Sequence, residues 1–344
     1  GIIIALFMTA YVAAQFNAGA KALTTALGID PLLSLAIAGL LVLVYMVLGG
    51  YIAVVYNDVV RALIMILALV IFPVILLIEM GGIEQLFNTV AAVSSSHLNP
   101  YAVGIGAVIS FLGIGLGSPG QPHIVVRYMS IRDPNKLRLS AVIGTFWNVL
   151  MGWGAVFIGL IGRAVFREVS ALPEQDPEMV YLALSSEYFG PLFYGLLIGG
   201  VFAAILSTAD SQLLVVSCSF VRDIYEQIVK KGAQLPEKRK LLLSRLALIV
   251  TGAAALILAY TAQDLIFWLV LFVWSGLGAS FGMAVIFSLY WKKANRFGIT
   301  AGMITGSAVT IGWKLFLKDA TGVYELIPAV LLSAAAIVIV SLLT

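Results

Sequence analysis

Apolar positions fall into ten long runs, at 1–24, 33–56, 58–81, 100–125, 138–162, 188–229, 241–261, 264–290, 296–316 and 323–343. A helix needs about 20 apolar residues to cross the hydrocarbon core of a bilayer. Nine runs match that length. The run at 188–229 is longer and predicts a helix that leaves the membrane and continues into solvent. The runs are continuous rather than alternating, which argues against an outer-membrane barrel. No linker or low-complexity stretch separates them, so the pattern predicts one all-α polytopic membrane unit. The chain opens Gly1-Ile2-Ile3-Ile4-Ala5 with no charged leader. That reads as the interior of a span, and an N-terminal part is expected to be missing.

Composition agrees with the pattern. Of 344 residues, 61% are hydrophobic and 11% charged, and the mean hydropathy is +1.06. Soluble domains carry about 25% charged residues, so a soluble enzyme and a disordered chain are both excluded. The net charge of +3 gives no reason to expect nucleic acid. One cysteine, Cys218, and two histidines, His97 and His123, cannot build a disulfide or a Cys/His metal centre. No P-loop, nucleophile elbow or zinc-protease motif occurs, so no enzymatic activity is expected.

Charge placement orients the spans. With the loops alternating from 25–32 onward, one side collects fifteen of the twenty Lys and Arg, from Arg61 through Arg127, Arg222 and Lys238 to Arg296. The other side holds Lys21, Arg163, Arg167, Lys314 and Lys318, with acids at Glu84, Glu168, Glu174, Asp176, Glu178 and Glu187. The positive-inside rule places the basic side in the cytoplasm.

The fourth run is unlike the rest. Residues 113–122 read Gly-Ile-Gly-Leu-Gly-Ser-Pro-Gly-Gln-Pro, four Gly and two Pro where a helix interior tolerates neither. The helix is predicted to break near 117–120. Irregular backbone at membrane depth is tolerated where it lines a cavity or is buried in protein, and such interrupted spans point to transporter binding sites. A simple proline kink is the blander alternative.

Polar residues within spans are the next signal, because they are expensive there. The sixth run carries Ala204-Ile205-Leu206-Ser207-Thr208-Ala209-Asp210-Ser211-Gln212. Helical spacing puts the Ala204 carbonyl, Ser207 and Ser211 on one face, with Thr208 beside them. Hydroxyls and carbonyls are hard ligands suited to an alkali cation; back-bonding of the hydroxyls to their own helix is the structural alternative. Asp58, at the start of the third span, has Arg61 one turn later: an interfacial ion pair, or a cation or gating group. Tyr11 and Gln15 share a face of the first span, with Asn17 nearby, and serve either as interhelical hydrogen bonds or as solute contacts. Trp147 and Asn148 read as packing, and His123 as structural or proton-sensitive.

Together these residues resemble the sodium/solute symporter family, most closely its sodium/proline branch. The resemblance rests on Gly49-Gly50-Tyr51-Ile52-Ala53-Val54 with Asp58, Gly115-Leu116-Gly117, Gly120-Gln121-Pro122-His123, and Leu206-Ser207-Thr208 with Gln212-Leu213-Leu214. It continues through Asp223-Ile224-Tyr225, the run 274–282 and Ala301-Gly302-Met303-Ile304. It implies a leucine-transporter-like fold of two inverted five-helix repeats. Residues 1–81 match the last three helices of the first repeat, its first two being absent. Residues 100–291 match the second repeat, completing a core over 1–291, and 292–344 supply two peripheral helices. The implied sodium ligands are the Ala204 carbonyl and the Ser207 and Thr208 hydroxyls. Asp58, Asp210 and Ser211 match a second cation site of some relatives. Two departures bear on it: Asp210 replaces a small hydroxyl residue, and Arg61 replaces a Gln, with a charge that would cancel Asp58 and abolish that site. The implied solute contacts are Tyr11, Ile114, Ser118, Gln121 and Pro122. Ile114 and Ser118 replace aromatic residues of the proline branch, which argues for another amino acid or a small carboxylate. The expected activity is sodium-coupled import of a small organic solute by alternating access, in the cell membrane, with Na+ as coupling ion and no other cofactor. Partners are the solute, Na+ and the lipid bilayer. Proton coupling through Asp58, Asp210 or His123 is the alternative, as is the membrane domain of a sensor.

Overall fold

The computed structural model describes residues 1–99, 102, 104–232, 234–261 and 266–344, with only the backbone of 50–53, 105 and 112. Among the described residues, eight helices are long and apolar enough to cross a membrane. The first is α1 (Ile2–Leu27), which ends on Gly28 in the left-handed conformation, a position where glycine carries no steric penalty. Asp30 then caps the next helix: its carboxylate accepts from the amides of Leu32 and Leu33 at 2.9 and 3.0 Å, with Pro31 at the first helical position.

Helical backbone runs from Pro31 to Ile66, yet the chain doubles back within it. The Arg61 guanidinium lies 5.0 Å from the centre of the Tyr45 ring. Sixteen residues of straight helix would place the two about 24 Å apart. There are therefore two crossings, α2 (Pro31–Gly49) and α3 (Val54–Glu79). Each of the expected spans 33–56 and 58–81 is thus met by a crossing; the side chains of 50–53 in the Gly49-Gly50 motif lie outside the described residues.

The outer segment contributes α4 (Ile83–Val93). The fourth run is discontinuous: α5 (Ile105–Gly113), a 3-10 helix over Ile114–Gly120, an extended Gln121, then α6 (Pro122–Met129). Its expected start at 100–103 lies mostly outside the described residues. Then follow α7 (Leu137–Val165), α8 (Val180–Tyr188) and α9 (Pro191–Cys218), the last prolonged by a π-helical stretch over Ser219–Val229. Next come α10 (Glu237–Thr261), α11 (Ile266–Leu277), a π-helical Gly278–Gly282 and α12 (Met283–Tyr290). The chain closes with α13 (Arg296–Phe316), α14 (Lys318–Thr321) and α15 (Leu326–Leu343).

Two of the ten expected spans are therefore not uninterrupted apolar helices. The fourth is broken, as Gly and Pro require. The ninth, α13, is helical but less apolar, because Gly298, Gly302 and Gly306 form a stripe of small residues. A Cβ on Gly302 would meet the Ser333 carbonyl at 3.1 Å, and one on Gly306 would meet the Ala279 backbone at 2.7 Å. Close backbone approach of this kind is how helices associate in lipid.

α1 sits at the centre, packed on α2, α9, α10 and α11. Val12, Phe16, Val42, Met46, Leu213 and Leu248 bury one face, while Phe7, Met8, Val273 and Leu277 bury the face toward α11. A separate cluster joins α3, α4, α7 and α8 through Phe72, Leu76, Leu86, Ile161 and Leu184. On the acid-rich side, Lys21 bonds both Asp176 and Glu178 at 2.6 Å, tying α1 to the loop before α8.

Candidate functional site

Six positions of α9 carry the polar stretch. Ser207 Oγ and Thr208 Oγ1 both donate to the Ala204 carbonyl at 3.0 Å, and Ser211 Oγ donates to the Ser207 carbonyl at 2.9 Å. This is the back-bonding expected of hydroxyls in a membrane helix. It orders the oxygens without exhausting them, since a donating hydroxyl keeps its lone pairs. Ser207 and Thr208 remain half-buried, so three hard oxygens lie together on an accessible face.

One turn further on, carboxylates and guanidinium groups form a network. Asp210 is fully buried, and its Oδ2 accepts from both Arg61 Nη1 and Tyr45 Oη. Arg61 also lies 3.7 Å from Asp58 Oδ1. Asp58 Oδ2 accepts from Arg127 at 2.7 Å, and Arg127 donates as well to Ser211 Oγ. The i, i+3 pairing of Asp58 with Arg61 is thus present, but the tighter partner of Arg61 is Asp210, 149 residues away. Arg61 and Asp210, the two residues that the resemblance singles out as departures, bond each other. All three residues matched to a second cation site are engaged by protein cations.

The discontinuous run packs its broken segment on α11 and the π-helical turn after it. A Cβ on Gly120 would stand 2.5 Å from the Gly282 amide nitrogen and 2.6 Å from the Leu277 carbonyl oxygen, so only glycine allows this approach. Gln121 is fully buried and donates through Nε2 to the carbonyls of Gly117 (3.2 Å) and Trp274 (3.1 Å). Trp274 Nε1 in turn donates to the Ile114 carbonyl at 3.0 Å. Side chains thus take over some of the backbone bonding that the break disrupts.

The five expected solute contacts are spread over this region. Pro122 lines a cavity of about 650 Å³ together with Asp58, His123, Arg127, Ser211 and Cys218. Tyr11 is buried and meets His123 edge-on, ring centres 6.0 Å apart. Ile114 packs beside Trp274 against the cluster built on α11, α12 and α15, Gln121 faces α11, and Ser118 is exposed. Of the five, Pro122 alone lines that cavity; Tyr11 reaches its wall through the ring of His123, and Ile114, Ser118 and Gln121 lie elsewhere. Sequence reasoning missed Tyr45 and Arg127. Tyr45 had a signal, as the sole polar side chain in residues 35–48. Arg127 read as one more cytoplasmic charge.

The family model of the sodium:solute symporters matches residues 2–306. The chain belongs to the sodium:solute symporter family. It is 36% identical to the osmoregulated proline transporter of Bacillus subtilis, over 100% of this chain and 70% of that one. It is 38% identical to sodium/proline symporter 2 of Staphylococcus saprophyticus, over 97% of this chain and 66% of that one. It thus spans about two thirds of the length of these relatives. A solved Na+-coupled sialic acid symporter in a substrate-bound, outward-open state aligns with a TM-score of 0.78 at 21% identity. The alignment covers 100% of this chain and 73% of the other. This symporter therefore has the all-α, inverted-repeat architecture of a multi-pass membrane transporter.

Proposed function

We propose that this chain forms the core of a sodium-coupled symporter that imports a small organic solute, with the coupling ion held by the Ala204 carbonyl and the Ser207 and Thr208 hydroxyls. One observation carries the reading: both hydroxyl oxygens converge on one carbonyl at 3.0 Å, on the half-buried face of α9. On binding, the ion displaces the two hydroxyl protons from that carbonyl and turns three oxygen lone pairs toward itself. The inner half of the discontinuous run lies against α9 through the Arg127–Ser211 bond, so ion and broken helix share one neighbourhood. We assign residues 1–81 and 100–291 to the two repeats, and 292–344 to peripheral helices. One charge moved through 100 mV supplies about 2.3 kcal/mol, which sustains a roughly 50-fold solute gradient before any sodium gradient is added.

The relatives named as proline transporters favour an amino acid as solute. Exposed Ser118 offers no apolar wall for a ring, which widens the candidates to other amino acids and small carboxylates. Proton coupling has less support, because Asp58 and Asp210 are already matched by guanidinium groups. The natural full-length protein in proteoliposomes tests this reading. Radiolabelled amino acids and small carboxylates are offered with an inward gradient of sodium or of choline at fixed pH. Sodium-dependent uptake of one compound is expected. Ser207→Ala with Thr208→Ala should raise the half-saturating sodium concentration about tenfold or more, the loss of one contact to a charged group being worth about 1.5 kcal/mol or more. Sodium dependence unchanged by the double substitution would remove this site.

A further inference from the structure

Beside the proposed sodium ligands, two carboxylates and two guanidinium groups meet. Asp210 Oδ2 is held by Arg61 and Tyr45, and Asp58 Oδ2 by Arg127. Arg61 spans the two acids, bonded to Asp210 and 3.7 Å from Asp58 Oδ1. Its side chain is only 11% exposed, and the Tyr45 ring covers its flat face. Two negative and two positive charges sum to zero.

We propose that Arg61 is a tethered counter-cation: it neutralises Asp210 and Asp58 in the place a mobile alkali ion would take, so that a single sodium ion moves with each solute. The inference rests on the symport reading above and sets its stoichiometry. Three features support it. First, a further cation would bring a net positive charge into a buried setting, which is costly without a partner. Second, three of the oxygens that would hold it are in use: Ser211 Oγ accepts from Arg127, and Oδ2 of each carboxylate binds a guanidinium. Third, Asp210 Oδ1 is buried and lacks a hydrogen-bond partner. This carboxylate therefore retains acceptor capacity, and removing the guanidinium creates a vacancy that a small cation fits. Arg61 is part of the chain and cannot leave with the solute. It balances charge without contributing to the driving force, and each ion so replaced forgoes about 50-fold of solute accumulation per 100 mV.

The test is a dual-label initial-rate measurement of sodium and solute entering proteoliposomes. The expected ratio is about one for the natural protein and for Arg61→Lys, which keeps a tethered cation. It approaches two for Arg61→Gln, which leaves one carboxylate unbalanced. Arg61→Gln with Asp210→Ser removes both charges together and returns the ratio to about one. A natural ratio of two, or an Arg61→Gln ratio of one, overturns the proposal. If Arg61→Gln is too unstable to transport, its thermal unfolding in detergent decides. Sodium, but not choline at equal ionic strength, should raise its midpoint more than it raises that of the natural protein, and an equal effect on both overturns the proposal. Complete absence of sodium-dependent uptake defeats the symport reading instead, and the unfolding comparison still tests Arg61.

Discussion

Gly120→Ala places one methyl group where the broken run meets the π-helical turn after α11. The added Cβ would lie 2.5 Å from Gly282 N, 2.6 Å from Leu277 O and 2.7 Å from Gly278 Cα. All three obstacles are backbone, so no side chain can swing aside. Restoring ordinary contact at 3.4 Å from 2.5 Å requires the segments to part by about 0.9 Å. That shift stretches Gln121 Nε2 to Trp274 O from 3.1 Å, and Trp274 Nε1 to Ile114 O from 3.0 Å, past useful hydrogen-bond length. Overpacking costs about 1–3 kcal/mol and each lost bond about 0.5–1.5, a total of about 2–6 kcal/mol.

Gly115→Ala is the internal control. It lies five residues earlier in the same run, and a Cβ there meets nothing within 4 Å. It should be neutral or stabilise by up to about 1 kcal/mol, through the entropy it removes from the unfolded chain. The assay is thermal unfolding of the purified protein in detergent, followed by tryptophan fluorescence. The expected order of midpoints is Gly115→Ala at or above the natural protein, with Gly120→Ala well below both. Equal midpoints for Gly120→Ala and the natural protein would refute the packing of the break on α11.

Two further perturbations address the ends of the bundle. Lys21→Met leaves Asp176 and Glu178 without their shared cation and weakens a cluster that also includes the Phe267 amide, 3.0 Å from Glu178 Oε1. Protease added to right-side-out vesicles should cut the loop 166–179 faster than in the natural protein, and an unchanged rate would show that the cluster does not hold the loop. Glu325 is fully buried, 3.1 Å from Lys318 Nζ, which lies over the Trp268 ring. Glu325→Leu alone strands the lysine and should cost about 3–5 kcal/mol, whereas Lys318→Met with Glu325→Leu should recover most of that. A double variant as unstable as the single one would mean that packing, not charge, governs the site.

Much of the architecture was legible because a bilayer permits few solutions. Apolar runs of crossing length gave the helices. Six breakers within 113–122 gave the discontinuity, which the structure realises as seven 3-10 residues and an extended Gln121. Lys21 falls on the acid-rich side by loop alternation, and it bonds two of those acids, Asp176 and Glu178. The ninth run is helical over Arg296–Phe316 as expected, and its glycine stripe permits close packing against α15 and Ala279. What escaped was which charges pair.

The pairing of Arg61 shows why site chemistry is harder to read than topology. Spacing offers Asp58 as its partner, because i, i+3 neighbours share a helix face. The structure keeps that contact loose, at 3.7 Å, and gives the direct bond to Asp210 on α9. Asp58 keeps 16% of its side chain exposed and has Arg127 as a second cation, so its demand on Arg61 is smaller. A fully buried carboxylate carries a large desolvation penalty unless a cation and hydrogen bonds compensate it. The buried acid therefore exerts the stronger demand on the guanidinium, and Tyr45 supplies the second donor. Which acid is buried depends on how α2, α3 and α9 pack, and that is a property of the assembled bundle rather than of any local window. Arg127 repeats the logic. It lies beyond the break, where a cytoplasmic charge would face solvent, yet it reaches Asp58 and Ser211 at once. The break turns α6 so that its last turn approaches α9. A feature read as a backbone defect thus delivers the second cation of the network.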